Sequence, residues 1–83
     1  MRHARPEDLE PFAALLGDLR GIDGLRERSP GTFYRGAKAF LHFHADPAGL
    51  FADLKVDGEF VRSRVVTAKE QRALLAAARR AAF

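Results

Sequence analysis

Asp57-Gly58 limits what this chain can fold into more than any other feature, because this dipeptide marks a two-residue hairpin loop. Strands joined that tightly have one register. Val56 stands opposite Glu59, Lys55 opposite Phe60, Leu54 opposite Val61 and Asp53 opposite Arg62. A second turn, Asp46-Pro47-Ala48-Gly49, fits a four-residue hairpin loop. It sets Ala45 against Leu50, His44 against Phe51, Phe43 against Ala52, His42 against Asp53 and Leu41 against Leu54. Opposed residues share a face of the sheet, so the two hairpins can be checked against each other. They agree.

One face collects Leu41, Phe43, Ala52, Leu54, Val56, Val61 and Val65, and reads as a core for helices to cover. A tight turn near residues 35–37 adds a strand through Thr32–Tyr34, with Tyr34 on that core side. The opposite, open face then holds Phe33, Phe40, His42, His44 and Phe51. It also holds Asp53, Lys55, Phe60, Arg62 and Arg64. A one-residue slip would flip every side chain of the last strand. Arg62 and Arg64 would then be buried unpaired, at several kcal/mol each. The two arginines therefore decide the register.

Helices flank this meander. Asp8 can cap a first helix with Pro11 in its opening turn, and Leu9, Phe12, Ala13, Leu16 and Leu19 recur at helical spacing up to Gly21. Thr67-Ala68-Lys69-Glu70 is a capping box for a last helix with Leu74, Leu75, Ala78 and Ala82 on its apolar side. Residues 1–7 read as a flexible tail. Residues 22–31 read as a loop, with a short edge strand near residues 25–28 or a cover for the sheet as the two alternatives. The fold class is α+β: N-terminal helix, three- or four-stranded antiparallel meander, C-terminal helix, both helices on one sheet face.

At 83 residues there is room for one domain. With no cysteine, disulfides, thiolate catalysis and cysteine-ligated zinc are excluded. The absence of an apolar run of about 20 residues, or of a leader-like segment, points to a soluble cytoplasmic protein with no membrane role. The net charge is +3, and the whole surplus lies on residues 67–83, the solvated side of the last helix. That is modest for a nucleic-acid binder.

Each Phe buries about 150–250 Å², so four on one open face exceed the ~300–600 Å² apolar patch that a monomer usually leaves bare. Self-association through this aromatic and Arg-rich face is therefore the leading expectation, with another protein or a small ligand next. Weak nucleic-acid binding follows, with bases stacked on Phe and phosphates held by Lys55, Arg62 and Arg64. His42 and His44, alternate residues of one strand, lie about 7 Å apart with Asp53 across from them, which outlines a zinc or iron site. With His3 in the tail, two histidines and one aspartate would hold metal no tighter than micromolar. The alternative is a surface His42–Asp53 hydrogen bond with His44 against Phe51. No cofactor and no enzymatic activity are expected, since no serine has a triad-like neighbourhood and Asp53 and Glu59 fall on opposite faces.

Residues 29–55, Ser-Pro-Gly-Thr-Phe-Tyr-Arg-Gly-Ala-Lys-Ala-Phe-Leu-His-Phe-His onward to Lys55, resemble small uncharacterised bacterial proteins. Lys38-Ala39-Phe40 and the apolar strand after it are similar to the MmcQ/YjbR-like family. That resemblance implies an α+β fold and DNA as a partner. The match is local and this chain is shorter, so no site residue is carried over.

Overall fold

The computed structural model describes residues 1–83 as an α+β fold. Six strands form one antiparallel sheet: β1 (Arg2–His3), β2 (Leu25–Ser29), β3 (Thr32–Arg35), β4 (Lys38–Asp46), β5 (Gly49–Val56) and β6 (Glu59–Arg64). The meander runs in the order β2-β3-β4-β5-β6, and β1 pairs with β4. Two of these strands exceed the expected meander. β2 settles residues 22–31 as an edge strand with its approach rather than a cover. β1 takes Arg2 and His3 out of the expected tail and pairs them with Ala45 and His44.

The β4–β5 and β5–β6 registers are those the two turns dictate, from Leu41 opposite Leu54 to Phe51 opposite Arg64. Asp57 and Gly58 both adopt positive φ, 51° and 84°. That is the backbone a two-residue loop needs to follow the strand twist, and Gly takes it without strain.

Beyond Leu41 the expected alternation fails. Phe33 stands opposite Leu41 but Tyr34 opposite Ala39, so Phe40 is an extra residue in β4. Such a bulge lets two successive side chains turn to one side. Phe40 and Leu41 both enter the core, 4% and 0% exposed, and Phe33 follows Leu41 inward at 0%. Phe33 and Phe40 thus lie in the core and not on the open face that simple alternation predicts for them. Tyr34, expected in the core, lies on the other side beneath the Arg28 guanidinium, 4.6 Å from its ring centre. The bulge adds two large aromatic rings to the core of a chain too short to be generous with apolar area.

A short helix α1 (Pro6–Leu9), a 3-10 turn (Glu10–Phe12) and α2 (Ala13–Arg20) precede the meander, and α3 (Ala68–Ala81) follows it. α1 starts two residues before Asp8, with Pro6 at its first position and Arg5 as cap. Asp8 works backwards from the third helical position, accepting from the Arg5 amide at 2.8 Å and from Arg2 Nη1 at 2.6 Å. Gly21 ends α2 as expected. At α3 the capping box is made in full: Thr67 Oγ1 accepts from the Glu70 amide at 3.1 Å, and Glu70 Oε1 accepts from the Thr67 amide at 2.9 Å.

Both helices cover one sheet face. Leu9, Leu15, Leu16, Leu19, Ile22, Leu74 and Ala78 pack there on Phe33, Phe40, Leu41, Phe43, Leu50, Leu54 and Val65. Gly31, at φ +75°, lets Leu9 seat itself over the β2–β3 turn: a Cβ there would come within 2.8 Å of Leu9 Cδ1. Val61 is the exception on this face. It is 54% exposed, because the cover provided by α3 stops short of β6.

Phe33→Ala and Phe40→Ala should each cost about 3–5 kcal/mol in urea unfolding, alongside about 2–5 kcal/mol for Leu41→Ala. Val61→Ala should stay within about 0.5 kcal/mol. Small losses at Phe33 and Phe40 would mean that the bulge does not turn them inward.

Candidate functional site

The middle of the open face is built around Asp53. Its neighbours across the strands are His42 on β4 and Arg62 on β6. Arg62 Nε donates to Oδ1 at 2.7 Å and its Nη2 donates to Oδ2 at 2.9 Å, a two-pronged pair in which guanidinium matches carboxylate geometry. Asp53 is only 7% exposed. The Arg62 hydrogen bonds are the main reason its carboxyl is held below the usual range, against the opposing effect of burial.

His42 and His44 complete the arrangement. His44 Nε2 lies 3.1 Å from Asp53 Oδ2, His42 Nδ1 lies 3.8 Å from the same oxygen, and the two ring nitrogens are 3.0 Å apart. The expected His42–Asp53 hydrogen bond is thus not formed; Asp53 meets His44 more closely. Burial depresses the His42 pKa below its ordinary value, outweighing the attraction of Asp53. At neutral pH the group is an anionic carboxylate beside a neutral His42 imidazole.

His3 joins them from β1. It stands opposite His44, so both side chains rise on the same face. Its ring centre is 4.7 Å from that of His44 and 5.9 Å from that of His42. One nitrogen from each of His3, His42 and His44 falls within 4.8 Å of the others. β1 is held in line by the Ala4 amide, which donates to the Phe43 carbonyl at 3.0 Å, and by the Arg2–Asp8 pair. A two-residue strand has no periodicity to betray it. The only trace in the sequence is Arg2 six residues before Asp8, which is too common to read.

The remaining expected site residues divide. Phe60 is 44% exposed and its ring centre lies 4.9 Å from that of His42. Lys55 Nζ sits 5.4 Å above the same Phe60 ring. Phe51, half-buried, stays on the open face opposite His44. Arg64 reaches Glu70 in the first turn of α3, at 3.2 Å. Phe33 and Phe40 are in the core. The open face therefore carries two Phe rather than four, and both of its arginines are already committed to carboxylates of the same chain. The apolar arithmetic for a large sticky face falls by half, and the phosphate-holding role of Arg62 and Arg64 loses its free charges.

No protein-family model matches the chain, and neither does any curated protein or solved structure. No helix is long and apolar enough to cross a membrane.

Arg62→Ala should raise the Asp53 carboxyl titration, followed by NMR, and lower the urea midpoint more than Arg72→Ala does. Because the Asp53 carboxyl titrates below its ordinary value when folded, the pair stabilises fully above that ordinary value. The contribution is lost as pH falls through the folded one. An unchanged Asp53 titration in Arg62→Ala would remove Arg62 from the site.

Proposed function

We propose that this protein is a small metal-binding domain, holding one divalent transition-metal ion on His42, His44 and Asp53 with His3 as a further ligand. The observation that carries this reading is a triangle of donor atoms. His42 Nδ1, His44 Nε2 and Asp53 Oδ2 are separated by 3.0, 3.1 and 3.8 Å. Metal–nitrogen and metal–oxygen bonds of about 2.0–2.2 Å put neighbouring ligand atoms about 3.0 Å apart in an octahedron and about 3.4 Å apart in a tetrahedron. The triangle brackets those values.

The chemistry of the donors fits as well. Two imidazoles and a carboxylate on one side of an ion, with positions left open, suit zinc or ferrous iron. His3, with a ring nitrogen within 4.8 Å of one on each of His42 and His44, would have to close in to make the site four-coordinate. An ion on Oδ2 would share that oxygen with Arg62 Nη2 and leave Oδ1 to Arg62 Nε, so the guanidinium orients the ligating carboxylate from behind. Phe60 and Phe51 flank the imidazoles and restrict water on two sides. His3, exposed and on the shortest strand, is the ligand that can move aside for an incoming molecule. The reading includes a cytoplasmic setting, in which the metal would come from the cell's exchangeable pool.

Cobalt(II) titrated into tag-free protein should bind one per chain and develop the visible absorption of a low-coordinate site, and zinc should displace it. His42→Ala and His44→Ala should each abolish saturable binding, and His3→Ala should weaken it about 10–100-fold. Binding that survives the His42→Ala/His44→Ala pair, or no stoichiometric binding at micromolar metal, would contradict the reading.

A further inference from the structure

β6 is the last strand of the sheet, and all six of its residues are exposed. Natural sheet edges are normally protected by charge. Here the two edge arginines are each drawn to a carboxylate of their own chain, Arg62 to Asp53 and Arg64 to Glu70, while staying part-exposed and charged. Val61 and Phe60 are left bare, one on each face of the edge. Beside Val61 lies an apolar groove of about 430 Å³ between β6 and α3, lined by Leu54, Val56, Leu74 and Ala77.

We infer that β6 is a self-association edge, at which a second copy of this chain adds antiparallel β6 to β6 and extends the sheet through a two-fold axis. The inference is independent of the metal site.

Symmetry makes the register specific. A two-fold axis normal to the sheet keeps each face on its own side, so a residue must oppose itself at the centre. The Asp57-Gly58 loop closes on Val56 and Glu59 as a hydrogen-bonded pair. By alternation the backbone groups of Phe60, Arg62 and Arg64 then point to the free edge. A dimer centred on Val61 uses them well: Phe60 of each copy exchanges backbone hydrogen bonds with Arg62 of the other. The two Val61 side chains meet in the close, non-hydrogen-bonded position over the apolar groove. On the open face Phe60 of each copy stands opposite Arg62 of the other, so no like charges are directly opposed there. Arg64 falls opposite Gly58, between Asp57 and Glu59, so the ends of the interface match in charge. Centring on Arg62 would instead set two arginines directly opposite each other, which is unfavourable.

The test uses the full chain with chelator present. Its mass in solution, followed from about 10 µM to about 1 mM, should rise from one chain to two, and Val61→Lys should remain a monomer with an unchanged circular dichroism spectrum. The chain has no cysteine, so a single engineered thiol reports the register. Val61→Cys should form a disulfide-linked dimer on mild oxidation, because directly opposed residues place Cα atoms about 4.5–5.5 Å apart. Ser63→Cys, on the same face, should cross-link at least about tenfold more slowly, being offset by two residues on each strand. A monomer throughout the range, a dimer indifferent to Val61→Lys, or equal cross-linking at the two positions would each overturn the inference.

Discussion

Asp53 places a full negative charge where only 7% of the residue remains in contact with water. An unpaired carboxylate in such a position would be strongly destabilising, so everything around it is arranged to answer it. Arg62 supplies two hydrogen bonds from β6, and the two imidazoles of β4 stand at 3.1 and 3.8 Å on the opposite side. These contacts exist in only one register of β4, β5 and β6. The same charge that would penalise a slipped sheet therefore assembles the candidate metal ligands. Strand register and site geometry are one constraint.

That coupling explains why so much of the central sheet was legible. The two hairpin loops determine opposition over Leu41–Arg64, and each pair they imply is present. The helix signals were local as well: Thr67 and Glu70 needed nothing beyond their spacing, and Gly21 ended α2. Local pattern is overridden where a long-range effect intervenes. The bulge at Phe40 has no turn signal. It arises because a thin core gains from taking Phe33, Phe40 and Leu41 together, and no local alternation can express that gain. Val61 failed in the opposite sense. Its alternation is right, but α3 does not extend over it.

The site was half legible for a related reason. His42, His44, Asp53 and Arg62 share a face by simple alternation. His3 depends on β1, which continues the line of β3 along β4 and is held by Ala4, Arg2 and Asp8 rather than by any pattern of its own. Adding one imidazole changes the chemistry. Two histidines and a carboxylate make a weak, open set, whereas a third histidine brings the donor count to that of zinc sites built wholly from protein. The loss of Phe33 and Phe40 to the core works in the same direction, since the face has less apolar area to hide and a more defined polar centre.

X-ray absorption at the zinc edge of the zinc-loaded protein tests the central claim most directly. The account predicts a first shell of about four nitrogen and oxygen atoms at about 2.0–2.1 Å, with the outer-shell scattering of three imidazoles. The His3→Ala variant should lose one imidazole and gain a water. A shell of water oxygens alone, or one with no imidazole scattering, would contradict it.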